Sequence, residues 1–220
     1  IGELGEEGVE HWGELLTDLI ENGETELGYD ETPFFGTTHE QGKSGVFANY
    51  LLGSVSAFSW ANVNDPENPT AAEMAVILMR TVQHMRSWKK GNGKAANQQA
   101  RKFGVMVPNN MEAATETAIS ATLLGSSTGS FTNTVAESKR VSFELIPNGN
   151  LNYTKKLYMF RLDKPNGKAF IRQQEKDYQI ASKAEGSEYE YDTGRWQFGI
   201  DASRGVNYGD HYQACEVELT

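Results

Sequence analysis

Few residues in this 220-residue sequence could do acid–base, nucleophilic or metal chemistry: four histidines, one cysteine and scattered carboxylates. His11, His39, His84 and His211 are widely separated. None stands at a metal-ligand spacing from another or from Cys215, so a zinc site would need distant segments to converge. Thr37-Thr38-His39-Glu40 sets a histidine beside a carboxylate, the pairing a general base uses. A loop histidine bonded to backbone accounts for the same residues and is the preferred reading. There is no Gly-x-Ser-x-Gly elbow, and Gly91-Asn92-Gly93-Lys94 lacks the full phosphate-loop spacing, reading instead as a helix-ending turn. Cys215, with Ala214 and Val217 in an alternating stretch, reads as buried rather than nucleophilic. Glu188 and Glu190 lie two apart on a predicted strand, which puts them on one solvated face. The residues therefore predict no catalytic group, no metal and no cofactor; a hydrolase built on His39 is the minor rival.

Charge is more informative than chemistry. Thirty acidic and twenty basic residues give a formal net charge of -10. That balance argues against a duplex-coating protein, whose nonspecific affinity comes from a positive surface. The first forty residues hold twelve Asp or Glu and no Lys or Arg. Between Glu73 and Glu112 the pattern inverts: no acid occurs, while Arg80, Arg86, Lys89, Lys90, Lys94, Arg101 and Lys102 all do. This basic stretch is expected to face packaged DNA or an acidic neighbour. Its complement is the acidic helix carrying Glu6, Glu7, Glu10, Glu14, Asp18 and Glu21. Neutralisation within one chain is the plainer alternative. Opposite charges on separate surfaces favour head-to-tail association. An exposed pair contributes only ~0–1 kcal/mol, so charge would orient assembly while apolar burial drives it.

The elements that position these groups follow from periodicity. Val9, Trp12, Leu15, Leu16, Leu19 and Ile20 predict an amphipathic helix over residues 1–23, stopped by a left-handed Asn22-Gly23. Ile1 already lies inside that pattern, so a preceding segment is expected. Residues 24–69 are rich in Gly, Pro and aromatics, the signature of a loop anchored on a scaffold. Thr70-x-x-Glu73 after Pro69 is a capping box opening a helix with Met74, Leu78, Val82 and Met85 on its stripe, ended by Gly91. A second helix is predicted from Asn109 or Asn110 to Leu124. Beyond Gly125 the period becomes two: Val141, Phe143 and Leu145, then Leu157 to Phe160, a turn at Asp163 to Gly167, and strands over 189–201 and 208–219 broken at Ser203-Arg204-Gly205. Helices first and strands later predict an α+β fold with a mostly antiparallel sheet. No apolar run is long enough to cross a bilayer as a helix.

Three stretches carry a resemblance to a known family. The first is Asn22-Gly23 followed by Tyr29-Asp30-Glu31-Thr32-Pro33-Phe34-Phe35-Gly36-Thr37-Thr38-His39. The second is Phe103 to Pro108 leading into Met111-Glu112-Ala113-Ala114. The third is Leu157-Tyr158-Met159-Phe160, then Phe170 to Lys176, then Phe198 to Gly209. In this order they resemble the major capsid proteins of Mu-like phages and prophages, the Mu-type major head subunit. The likeness covers about Val9 to Leu219. The sequence departs from the family pattern at Glu31, where the family has glycine, at Gly36, where it has an acid, at Ser203, which reads as an insertion, and at His211, near a family tryptophan.

The resemblance implies a Hong Kong 97-type capsid fold. Residues 1–100 would form the first part of the peripheral domain, with the end of its spine helix, a loop and the helix from Thr70. Residues 101–162 would form the axial domain, and 163–220 the return strands of the peripheral domain. The N-terminal arm and extended loop would be missing from this chain. It further implies a non-enzymatic shell protein of a tailed double-stranded DNA bacteriophage or prophage. Such a protein would assemble in the bacterial cytoplasm into pentamers and hexamers of an icosahedral virion. Its partners would be itself, a portal, decoration or scaffolding proteins and nonspecifically held DNA, with no membrane. The alternative within the fold is the shell of a protein nanocompartment.

Overall fold

The computed structural model describes residues 2–126 and 129–220, and the side chains of residues 1–7, Val9, 126–128, Tyr178 and Ile200 lie outside the description. The architecture is α+β, with four α-helices and nine strands among the described residues. No helix is long and apolar enough to cross a membrane. Two compact units divide the chain: Ile1–Leu19 with Ile171–Asn207, and Ile20–Phe170 with Tyr208–Thr220.

The smaller unit brings the first helix together with a late segment of the chain, residues 171–207. Helix α1 is Gly2–Glu21, and its partner is a two-stranded ribbon of β7 (Phe170–Lys183) and β8 (Gln197–Tyr208), linked through α4 (Glu188–Thr193). Trp12 lies against two guanidinium groups of the ribbon, Arg172 at 4.3 Å and Arg204 at 4.8 Å. Such cation–π contacts fix the helix without removing charge from water.

The larger unit is built on a five-stranded sheet in the order β1-β9-β6-β2-β5. These are β1 (Tyr50–Leu52), β9 (Ala214–Glu218), β6 (Lys156–Arg161), β2 (Lys102–Val107) and β5 (Ser142–Pro147). Alternation assigns each face. Leu157, Met159, Cys215 and Val217 join the core under α2 (Ala71–Ser87) and α3 (Asn109–Ser120). Tyr158 and Phe160 point the other way: Phe35 from the loop of residues 25–49 packs on Tyr158 at 5.6 Å, and Phe170 meets Phe160 edge-on at 5.5 Å. Both faces being covered, β6 reads as a continuous apolar run.

Local chemistry explains the element ends. The Thr70 hydroxyl accepts from Glu73 N while the Glu73 carboxylate accepts from Thr70 N, completing the predicted capping box. Helix α2 stops at Ser87 rather than Gly91, because Trp88 turns extended and buries its ring in the core. The following turn is pinned by a bridge between Lys89 and Ala95, with Gly93 at φ +78.

Several expectations are corrected. Gly23 is not left-handed; it sits in a short 3-10 turn, where a Cβ would collide with the Phe35 ring. Helix α3 ends at Ser120, and Leu123–Ser126 instead forms β3, paired antiparallel with β4 (Gly129–Thr132). The central sheet is mixed, since β1 runs parallel to β9 and β2 parallel to β5. Glu188 and Glu190 lie on α4, not on a strand. β8 runs unbroken through Ser203-Arg204-Gly205, and the break falls instead at the 3-10 turn His211–Gln213. The polar strand β7 escaped the periodicity because its side chains are mostly exposed, with no apolar alternation to register.

Candidate functional site

The basic stretch lies wholly in the larger unit but does not form one face. Arg80 is exposed on α2 and donates to Gln83 Oε1 at 3.4 Å. Arg86 is half-buried and donates from Nη2 to Ala100 O at 2.5 Å, leaving its Nε without a partner. Burial lowers its pKa, and repulsion from Arg140 and Arg101 adds to the effect against the pull of Asp163. Lys89, Lys90 and Lys94 are exposed on the bridged turn. Lys43 joins them through its backbone, which donates to Gly91 O at 2.9 Å. Arg101 is exposed and anchors to Asp163 by its backbone N–H. Lys102 alone of the seven is in an ion pair among the described residues, with Glu144 at 2.7 Å across β2 and β5.

The acidic helix divides as well. Glu10, Glu14 and Asp18 are exposed on α1, and His11 sits 3.7 Å from Glu14. Glu21 turns away to accept from the backbone and side chain of Asn152, at 2.5 and 2.8 Å. The side chains of Glu6 and Glu7 lie outside the described part of the molecule.

His39 is the best-connected histidine, and its surroundings differ from the expected backbone-bonded loop residue. Its ring is fully buried, with exposure 0%, and it bonds to side chains. Nδ1 is 2.7 Å from Asp30 Oδ2 and 3.0 Å from Thr32 Oγ1, and Nε2 is 3.0 Å from Asn49 Oδ1. The Asn49 amide has only one consistent orientation: Oδ1 accepts from Gly36 N at 2.8 Å, and Nδ2 donates to Phe34 O at 2.8 Å. Nε2 of His39 is therefore a donor. With a carboxylate at Nδ1, both nitrogens face acceptor oxygens. Burial works against the Asp30 charge, but the hydrogen bond and charge of His39 outweigh it and hold the carboxyl below its ordinary range. Gly36 makes the arrangement possible, since a Cβ there would come within 3.2 Å of His39 Nε2.

His211 stacks on this pair, 4.4 Å from the His39 ring on one side and 4.8 Å from Tyr29 on the other. Its Nδ1 lies 3.8 Å from Asp30 Oδ2 and has no hydrogen-bond partner. Burial lowers its pKa to about 4, helped by the charge of His39 and opposed by Asp30 and Asp210. Asp30, His39 and His211 bring donor atoms within 4.8 Å of one another. They do not form a metal centre as built, because imidazole lone pairs lie in the ring plane. Two rings stacked 20° from parallel cannot aim theirs at one ion. Nor is the cluster a catalytic triad. Asp30 and Thr32 share one nitrogen of His39, and Asn49 occupies the nitrogen a nucleophile would need. What the cluster does is fix a long irregular loop, whose end is tied to β9 by Glu216 N donating to Asn49 O at 2.7 Å.

A second polar centre lies on the loop face of the sheet. Lys156 Nζ is 3.1 Å from Glu216 and 3.8 Å from Glu218, it also meets Glu24, and the Tyr153 ring lies at 4.3 Å. Tyr50 donates its hydroxyl to Glu218. Neither centre was foreseen. Their members come from opposite ends of the sequence, and no spacing announces a contact between residues such as Glu24 and Lys156. No protein-family model matches this chain, and no curated protein matches it.

Proposed function

We propose that this chain is a shell-forming structural protein, a major capsid subunit of a tailed phage or prophage-derived particle with the Hong Kong 97-type fold. One observation carries the self-assembly reading. The smaller unit leaves Ile180, Tyr191, Trp196 and Phe198 exposed on and around a slender ribbon. A monomer gains nothing from these exposed apolar side chains, whereas a subunit tiled against neighbours covers them. Charge supports the same reading, with Glu10, Glu14 and Asp18 exposed in one unit and Lys89, Lys90 and Lys94 in the other.

The family likeness has a local support in Glu31. It stands where the Mu-like head subunits have glycine, and its φ is +60, a conformation that favours glycine. In the proposed role each copy makes several modest contacts, and closure multiplies them. The acidic net charge suits a container that encloses DNA without coating it tightly.

Light scattering and negative-stain images of the purified protein at rising concentration test the reading. Rings or closed shells are expected, and a monomer at every concentration overturns it. Nuclease-protected DNA inside particles points to a capsid, and enclosed protein to a nanocompartment of the same fold. Lys89, Lys90 and Lys94 changed together to Glu should impair assembly or packaging; full particles with intact genomes would remove the turn from the interface.

A further inference from the structure

The larger unit carries a groove whose floor is apolar and whose rim is basic. It runs beside α2 and the β3–β4 hairpin, lined by Val76, Met79, Leu124 and Phe131 with Arg80 and Arg86, and encloses 530 Å³. Val76 and Phe131 are about half exposed there, an unfavourable state for neighbouring apolar side chains in water. Among the described residues no acid pairs with Arg80 or Arg86.

The smaller unit offers a complement. The link between β7 and β8 carries Glu185, Glu188, Glu190 and Asp192, and Tyr191 stands out of it with 92% exposure. This link is preorganised. Glu190 accepts from Gly186 N at 2.8 Å and from Trp196 Nε1 at 2.9 Å. Ser187 Oγ accepts from Glu190 N at 3.3 Å, and Gly194 closes the turn at φ +64. Glu190 is thus spent on holding the turn, which leaves Glu188 and Asp192 to flank a rigidly presented aromatic. A fixed tyrosine between acids is the profile of an interface anchor, because its ordering cost is met before binding.

We propose that the acidic tip around Tyr191 of one copy docks into the α2 groove of a second copy, the tyrosine on the apolar floor and Glu188 and Asp192 toward the arginines. The contact rests on the self-assembly reading and specifies one of its interfaces. Tip and groove are different surfaces, so the contact is head-to-tail and propagates into a ring or an open array. A nucleic-acid occupant fits less well, since a phosphate backbone has no use for an apolar floor of Val76, Met79 and Phe131.

The test uses two variants in a Cys215→Ala background, Glu185→Cys and a tagged Gln83→Cys, so that each carries one cysteine and keeps Tyr191; they are purified separately, mixed and mildly oxidised. A disulfide between them joins different chains by construction. The expected result is a mixed dimer well above the yield from Glu185→Cys with Val46→Cys, whose site is exposed elsewhere on the same unit as the groove. Independently, Tyr191→Ala should weaken self-association about 30-fold, the scale of losing an interface anchor. Glu188→Arg with Asp192→Arg should weaken it too, and Arg80→Glu should restore part of the loss. Assembly that persists without the cross-link or the rescue overturns the docking and leaves the shell reading standing, with some other occupant in the groove. A protein that never self-associates overturns both.

Discussion

His39 and His211 lie face to face with ring centroids 4.4 Å apart, and their electrostatic roles are opposite. His39 is gripped between the Asp30 carboxylate and the Asn49 side-chain oxygen Oδ1, whereas the Nδ1 of His211 has no hydrogen-bond partner among the described residues. Charging His211 would place a cation in a buried site whose Nδ1 has no hydrogen-bond acceptor among the described residues. The loop that supplies Tyr29, Asp30 and His39 therefore depends on His211 staying neutral.

That dependence sets an acid limit on stability. The folded pKa of His211 is about 4 against an ordinary 6.5, so the unfolded chain binds more protons between those values. Stability from this residue is complete above about pH 6.5 and falls as pH drops toward 4, by roughly 3 kcal/mol in all. Urea unfolding at pH 5 and pH 7 measures the difference. His211→Phe keeps a stacking ring but does not titrate, and it should flatten the dependence over this window. An unchanged slope would assign the acid sensitivity elsewhere.

The Lys156 centre has the opposite sign. Burial, with the nearby Glu24 charge adding to it against Lys156, raises Glu216 to about 8 from an ordinary 4.5. The folded state then holds the extra proton between those values, and stability from this residue is lost as pH rises toward 8. Glu216→Gln should match the unchanged protein below about pH 4.5 and exceed it increasingly as pH rises, by roughly 5 kcal/mol above pH 8. Lys156→Met should cost most above pH 8, about 3–5 kcal/mol, where it strands the ionised, buried Glu216 carboxylate without its cation. Denaturant midpoints across pH check both, and a Gln variant equally inferior at every pH would refute the protonated Glu216.

Glu31 is the only described non-glycine residue at positive φ, at +60. Left-handed backbone costs an L side chain roughly 1–2 kcal/mol, part of which glycine gives back through unfolded-state entropy. Glu31→Gly is expected to raise stability by up to about 1 kcal/mol, and Glu31→Val to lower it by more than that. Thermal melts of the two variants decide the matter, and a destabilising glycine would show that the carboxylate supports the turn.

Legibility followed the range of the interaction that sets each feature. The Thr70 capping box, the stripe of α2, the run from Leu157 to Phe160 and the burial of Cys215 were readable because each is written within a few residues. The extent of α3 and the character of β7 were not. Leu123 and Leu124 satisfy a helical stripe as well as a strand, and only pairing with Phe131 and Thr132 in β4 chose between them. β7 exposes most of its side chains, so neither period appears.

By itself, then, the sequence determined the α+β class, the segregation of acid from base and the helix starts, all consequences of local spacing and composition. Tertiary structure alone decided that Gly23 and Gly36 make room for the Phe35 and His39 rings, and that Asp30, His39, Asn49 and His211 share one buried cluster. It likewise decided that Lys156 gathers Glu24, Glu216 and Glu218. These contacts join residues far apart along the chain, where nothing in spacing constrains distance. They arise only when the sheet and its covering loop close over one another and exclude water.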